Sequence, residues 1–435
     1  MTDPQLGVLL IGFLLVLIAF RVPIGAALVA VPFIGIWLLF GWGPAIGALR
    51  GIPYNFAANW QLSSVPMFLM MGFLAYHTGI TRGLFEAARM WLLRLPGGLA
   101  VASIFGAAGF ASVTGSSVAC AAAMGRIAVP EMTRQGYDDR LATGTVAAAG
   151  TIGALIPPSI LLIIFGIIAQ VPIRDLFVAG IAAGLLTAVS YVVVVVIWAK
   201  VNPSVAPRLD VSYSLRERMS VLIQVGPVIL LALLVFGGLF GGVFTPTEAG
   251  AVGAVLCMLI ALFRRSLTWK RLRLSLIETF STTAAIFVIA IGANLLGRFV
   301  TLSGADDYIS ATILGLASNT TLLLLGIVVL YLILGMFLDP LGAMLLTLPI
   351  LLPVVREVGF DLVWFAILVA KLLEIGMITP PIGLNVFVIK NVVGDRIGLD
   401  RIFRGVAYFL VADLVVVTLL IAFPGFVLFL PGLFR

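Results

Sequence analysis

Ile152-Gly153-Ala154-Leu155-Ile156-Pro157-Pro158 returns, reworked, as Ile375-Gly376-Met377-Ile378-Thr379-Pro380-Pro381. Both heptapeptides sit inside apolar segments, and each carries a glycine-to-proline break. Proline removes a backbone donor and clashes with the preceding turn, so two in succession end one half-helix and open another. In lipid, freed backbone groups persist only where they find partners or line a cavity. Breaks at corresponding places in two halves of a chain therefore point to a binding site at membrane depth.

The position number of Ile375 minus that of Ile152 is 223, and the same offset separates Pro157 from Pro380, Pro130 from Pro353 and Pro23 from Pro246. One lone proline match means little in a chain with 22 prolines. A shared register over a proline pair, an Ile-Gly pair and two single prolines marks an internal repeat.

Composition sets the solvent. Of 435 residues, 62% are hydrophobic and 10% charged, far from the roughly half apolar and quarter charged of soluble domains. The sequence therefore predicts an all-α polytopic membrane protein. The net charge of +7 lies in short segments between apolar runs, where it sets orientation and does not indicate a nucleic-acid partner. Met1-Thr2-Asp3-Pro4-Gln5 lacks the basic region of a signal peptide, so the first helix is expected to be retained. Cys120, Cys257 and the single histidine, His77, make neither a disulfide framework nor a zinc cluster.

Apolar runs of about 20 residues are read as spans. They fall at about 5–20, 24–41, 62–77, 176–199, 221–243, 247–263, 279–300 and 405–430. Residues 42–61 read as interfacial. Residues 80–96, with Arg82, Arg89 and Arg94 against Leu84, Phe85 and Trp91, read as an amphipathic surface helix. Residues 98–130 are interrupted at Thr114-Gly115-Ser116-Ser117 and residues 320–355 at Gly335 to Gly342, so both read as re-entrant hairpins. The broken helices are 141–172 and 362–393. The expected organisation is a first repeat over 1–200, a cytoplasmic linker over 201–220 and a second repeat over 221–435.

Each half then has five crossings plus a returning hairpin, and an odd number of crossings inverts the second half. This threading puts 20 of the 26 Lys and Arg residues on one face and leaves Arg50, Arg174, Arg298, Arg356, Lys371 and Arg435 elsewhere. By the positive-inside rule that face is cytoplasmic and the N-terminus lies outside. The expected fold is an inverted-repeat secondary transporter with two re-entrant hairpins and two broken helices.

Several residues are candidates for its chemistry. Ser116 or Ser117 can cap the returning arm of the first hairpin, whose amides favour an anion, while carbonyls at the end of the incoming arm favour a cation. The alternative is a tight turn that serves only close packing. Asp339-Pro340 reads as an N-cap followed by a first-turn proline, with the carboxylate either a cap or a cation ligand. Thr379-Pro380 repeats the pattern. Asn385 is suited to a substrate hydrogen bond or to bracing its loop. Arg298 is read as a bidentate carboxylate clamp, with snorkelling to the outer interface as the alternative. Lys371 and Glu374 share a helical face and are expected to neutralise each other. Arg126 reads as an interfacial anchor, and His77 as an interface residue in preference to a proton relay. The candidate substrate contacts are Ser116, Ser117, Pro157, Arg298, Pro381 and Asn385. No phosphate-binding loop and no nucleophile-base set occurs, so the expectation is a transporter driven by an ion gradient and not an enzyme.

Gly109-Phe110-Ala111-Ser112-Val113-Thr114-Gly115-Ser116-Ser117-Val118-Ala119, the Ile-Gly-x-x-Ile-Pro-Pro-Ser stretch at 152–159 and Thr379-Pro380-Pro381-Ile382-Gly383-Leu384-Asn385 resemble the large membrane subunit of tripartite ATP-independent periplasmic (TRAP) transporters. The resemblance covers nearly the whole chain. It implies sodium-driven import of organic acids, such as C4-dicarboxylates, sialic acids or keto acids, by an elevator movement in the bacterial inner membrane. It also implies a small four-helix membrane subunit and a periplasmic substrate-binding protein as partners. At least two Na+ sites follow from it: Thr114 with the carbonyls of Gly153, Ile156 and Pro158, and Asp339 with Gly376, Thr379 and Ile382. Thr114 departs from the serine expected at its position, and Asp339-Pro340-Leu341-Gly342 matches the family least closely. A self-sufficient sodium/carboxylate symporter of similar fold is the alternative.

Overall fold

The computed structural model describes residues 2–208, 213–316 and 319–433. Residues 209–212 of the linker and Arg435, expected on the outer face, lie outside the described residues. Among the described residues the secondary structure is helical, without strands. The chain opens with α1 (Asp3–Ala19), α2 (Ile24–Phe40), α3 (Trp42–Ala57), α4 (Ser64–Thr78) and the short α5 (Gly83–Leu92). A helical hairpin follows, α6 (Gly98–Thr114) and α7 (Ser117–Arg134), then the broken helix α8 (Asp139–Thr151) and α9 (Ile160–Ala169), and then α10 (Ile173–Val201). The order recurs with α11 (Leu215–Phe240), α12 (Pro246–Phe263), α13 (Trp269–Ser303) and α14 (Ala305–Leu316). Next come α15 (Thr320–Phe337) and α16 (Pro340–Glu357), the broken helix α17 (Leu362–Gly376) and α18 (Leu384–Val393), α19 (Leu399–Ala422) and α20 (Gly425–Leu433).

The repeat offset reaches the ends of the helices. Ser117 and Pro340, which open the second hairpin arms, keep it, as do Thr114 and Phe337, which close the first arms. The helix starts are encoded alike. Asp138 caps α8 by accepting from Arg140 N at 2.7 Å, and Asp361, its counterpart in the second half, caps α17 by accepting from Val363 N at 2.8 Å. Side-chain oxygens at this position satisfy amides that the first turn leaves without partners.

Seven helices among the described residues, α10 to α13, α15, α16 and α19, are long and apolar enough to cross a membrane. Two of them, α15 and α16, are the arms read from sequence as a returning hairpin. Residues 42–61, read as interfacial, contain a regular helix, α3, and three boundaries differ from expectation. Lys270, Arg271 and Arg273, which lie between the spans expected at 247–263 and 279–300, belong to the first turns of a single 35-residue α13, because Thr268 caps that helix on Arg271 N. Residues 305–316, left unassigned by hydropathy, form α14, which lies where the offset would put a copy of α5. The last span is two helices, interrupted at Phe423-Pro424, because proline supplies no amide and disfavours helical backbone in the residue before it.

The core has three main parts. One packs α4, α9 and α12 with α15 to α17, a second packs the first hairpin with α8, α18 and α19, and a third joins α1 and α2 to the end of α13. The second broken helix is thus shared, α17 with the first core and α18 with the second.

Candidate functional site

Both helix breaks meet a hairpin by close backbone approach. A Cβ added to Gly115, whose φ is +61°, would lie 1.8 Å from the Pro158 carbonyl oxygen, and one added to Gly153 would lie 2.9 Å from the Ser116 oxygen. The tip of the first hairpin therefore rests on the first break. At the second break a Cβ on Gly376 would lie 2.3 Å from the Gly335 carbonyl carbon, so α17 ends against α15. Only glycine allows such contacts. The Pro157-Pro158 and Pro380-Pro381 peptide bonds are both cis.

The two tips are capped in the same register. Ser116 Oγ accepts from Ala119 N at 3.4 Å, and Oδ1 of Asp339, the counterpart of Ser116, accepts from Leu341 N at 3.1 Å and Gly342 N at 3.2 Å. Asp339 is thus a helix cap through one oxygen. The threonine hydroxyls turn back on their own helices, Thr114 to Phe110 O at 3.1 Å and Thr379 to Ile375 O at 2.6 Å.

A cavity of about 450 Å³ lies between the tips. Of the residues singled out from sequence, Thr114, Ser116, Ser117, Asp339 and Glu374 line it. Gly153, Ile156, Pro157 and Pro158 lie behind the first tip, and Gly376, Thr379, Pro381 and Ile382 belong to the second break without facing the cavity. Asn385 is fully buried near Gly150, with Nδ2 donating to Ala147 O at 3.4 Å and Oδ1 without a partner. It braces α18 against α8, one of the two roles its position suggested.

Arg298 is not brought to this cavity. It lines a separate one, about 530 Å³, with Phe40, Asn55 and Leu302, because its side of α13 faces α2 and α3. A clamp on a ligand held between the tips is therefore not formed.

The expected neutralisation of Glu374 by Lys371 is also not found. Lys371 Nζ donates to Asp413 Oδ1 of α19 at 2.5 Å, both side chains being fully buried. The same oxygen accepts from the Tyr191 hydroxyl at 2.8 Å, and Thr151 Oγ1 lies 3.1 Å from that hydroxyl. Lys371 Nζ sits 5.4 Å from the centre of the Tyr191 ring. With the lysine engaged by a second carboxylate, Glu374, 1% exposed, lines the cavity with Oε2 unpartnered. Asp413, overlooked above, carried a signal: a lone carboxylate within the apolar run of α19 is a functional candidate by default.

Glu278, also overlooked, faces the same cavity and lies 2.9 Å from His77 Nε2. His77 is thus a cross-helix partner between α4 and α13. Arg126 donates from Nη1 to the Tyr76 hydroxyl at 3.3 Å. The cavity wall holds three carboxyl groups, Glu278, Asp339 and Glu374, and among the described residues no lysine, arginine or histidine. Such a space attracts cations and repels an unaccompanied anion. Among the described residues there is no group of three His, Cys, Asp or Glu side chains able to hold a metal ion together.

The geometry can be set beside known proteins. The family described as tripartite ATP-independent periplasmic transporter, DctM component, matches residues 11–426. The chain is 32% identical to the isethionate TRAP transporter permease protein DctMQ of Oleidesulfovibrio alaskensis over 90% of its own length, and spans 64% of that relative. It is 34% identical to the C4-dicarboxylate TRAP transporter large permease protein DctM of Pseudomonas aeruginosa, covering 79% of this chain and 80% of that one. It is also 34% identical to the sialic acid TRAP transporter large permease protein SiaM of Vibrio cholerae, covering 87% and 90%. In fold it resembles the Alcanivorax borkumensis YdaH transporter, with a TM-score of 0.59 at 17% identity over 88% of this chain and 90% of that one. Motifs at both breaks, a family match over nearly the whole chain and relatives that are transporter permeases and not enzymes lead to one assignment: the chain belongs to the DctM family, the large membrane subunits of TRAP transporters.

Proposed function

We propose that this TRAP permease subunit imports organic acids coupled to sodium, by an elevator movement of the hairpins and broken helices against the remaining helices. The observation that carries the reading is the charge of the cavity: among the described residues, three carboxyl groups and no cationic side chain line it. A carboxylate ligand can be held there only with cations beside it, and bound cations make its entry dependent on an ion gradient. The helix breaks supply backbone carbonyls suited to sodium, since ending a helix leaves its last carbonyls without partners. One ion is assigned to Thr114 with Gly153, Ile156 and Pro158, and a second to Asp339 with Gly376, Thr379 and Ile382. Ser116 and Ser117, which line the cavity, bound the substrate space between them, with Pro157, Pro381 and Asn385 behind that lining.

The common offset, together with an odd number of crossings per half, supports inverted repeats over 1–200 and 221–435 with the two hairpins entering from opposite faces. It also supports an inner-membrane orientation with the N-terminus outside. The TRAP relatives motivate a small membrane subunit and a periplasmic binding protein as partners, and the relatives named for C4-dicarboxylates and sialic acid motivate the substrate class. The test is uptake into proteoliposomes holding the chain with both partners. Import should stop when the sodium gradient is removed, and Thr114→Ala and Thr379→Ala should each raise the sodium concentration for half-maximal uptake about tenfold, the equivalent of one charge-assisted contact. Equal uptake without a sodium gradient would overturn the reading, and uptake by the chain alone would make it a self-sufficient symporter.

A further inference from the structure

We propose that the turn between α12 and α13 is a binding surface for anionic phospholipid headgroups, held by Arg264, Arg265, Lys270 and Arg273. The inference is independent of sodium coupling and of the cavity between the tips. The run Arg264-Arg265-Ser266-Leu267-Thr268-Trp269-Lys270-Arg271-Leu272-Arg273 carries five cations, and no acidic residue occurs between Glu248 and Glu278. Among the described residues none of the five forms an ion pair. Arg271 donates to Ser266 O and so closes the turn, while the other four side chains are exposed. The patch therefore projects a positive field with no carboxylate of its own to balance it, and it attracts anions.

The neighbouring apolar side chains identify what carries the anion. Phe263, the last residue of α12, is 86% exposed, and Trp269, the first of α13, is 75% exposed. Both stand at the ends of helices long and apolar enough to cross a membrane. A soluble polyanion offers nothing to cover these rings, whereas a lipid surface presents phosphates and acyl chains together. Aromatic rings at the end of a spanning helix sit at headgroup depth, and four or more cations beside them favour anionic lipid.

The fold does not need these charges. The repeat offset leads from the five cations to Gly41, Trp42, Gly47, Ala48 and Arg50 in the first half, so the counterpart segment carries one cation in place of five. Arg265 has left-handed backbone, with φ +52°, where glycine is unstrained and arginine is not. Most basic residues of the face proposed as cytoplasmic lie on other elements, so orientation does not need these four either.

Native mass spectrometry of the purified full-length chain in neutral detergent tests this, with dioleoylphosphatidylglycerol and dioleoylphosphatidylcholine as probes. Wild type should bind the anionic lipid more than about tenfold more tightly than the zwitterionic one. Arg264→Gln, Arg265→Gln, Lys270→Gln and Arg273→Gln should each weaken the anionic lipid about fivefold, and the four combined should remove the preference. Arg134→Gln, Lys200→Gln, Arg396→Gln and Arg404→Gln combined, on other elements, should leave it intact. Raising the salt should narrow the preference of wild type, a reading that needs no variant. Equal affinity of wild type for both lipids overturns the inference, as does a preference indifferent to salt. An equal loss in the second combination would make the attraction a property of the whole basic face and also overturns it. Binding of water-soluble polyglutamate that depends on the four residues, without any lipid preference, would assign the surface to an acidic protein segment instead.

Discussion

The first and second broken helices share a register, a cap and a break, yet only the second carries charge beyond its first turn. Where α8 has Ala148 and Thr151, α17 has Lys371 and Glu374. The caps Asp138 and Asp361 sit at matching positions, and both breaks press a glycine against hairpin backbone. The repeat thus preserves what the backbone needs to end and restart a helix in an apolar setting. The charges are not repeated, and they tie the halves together: Lys371 and Asp413 of the second meet Tyr191 and Thr151 of the first. Similar scaffolds can therefore hold different chemistry when one half gains ionisable groups and the other supplies neutral hydroxyls.

The contrast breaks most sharply at Asp413. Asp413→Asn leaves a fully buried lysine without its counter-charge, and the expected loss is about 3–5 kcal/mol, read as a lower denaturation midpoint of the detergent-solubilised protein. Replacing both partners, as in Lys371→Met with Asp413→Leu, should recover most of that loss, because no charge is then left buried. If the double variant is as unstable as the single one, the Tyr191 contact and not the ion pair holds the halves together.

Close packing at the breaks comes next. Gly115→Ala and Gly376→Ala each place a methyl group against backbone that has little room to yield, and each should cost about 1–3 kcal/mol. Gly12→Ala, where nothing lies within 4 Å, should be neutral or stabilising, since alanine suits a helix better by up to about 1 kcal/mol. A loss at Gly115 without one at Gly376 would show that the two breaks are supported differently despite their shared register.

The caps should differ least. Asp361→Ala and Asp138→Ala are each expected to cost about 1 kcal/mol in the same unfolding measurement. Asp138 adds a pH signature. Its carboxyl is held below the usual carboxylate range by the Arg140 side chain bonded to it. A carboxyl depressed by folding stabilises the protein above its unfolded pKa of about 3.9 and loses that contribution as pH falls through the folded value. This part is under about 1 kcal/mol because the pair is open to solvent. The stability difference between wild type and Asp138→Asn should therefore shrink as the pH falls below about 4, and a difference independent of pH would assign the cap no role for its charge.

Much of the scaffold was legible along the chain because its signals are local. Proline pairs, glycines and the capping positions act within one turn, so the hairpin tips and helix breaks could be placed from residue types alone. Helix α14 was missed for the opposite reason: its composition is ordinary, and only the copy of α5 one repeat earlier marks it. The three carboxyl groups of the cavity were partly visible. Asp339 announced itself beside a proline, whereas Glu278 sits in a long helix among polar neighbours and gives no sign of facing a cavity.

The sequence by itself determined the membrane class, the internal repeat, the two breaks and the tips that meet them, because each follows from hydrophobicity and backbone chemistry within a few residues. Tertiary structure alone decided who partners whom. Lys371 passes over Glu374, its near neighbour on the same helix, for Asp413 on another helix, and Arg298 turns to a second cavity. Burial sets those choices: a charge removed from water takes the partner that packing brings within hydrogen-bond reach, and separation along the chain does not specify which one that is.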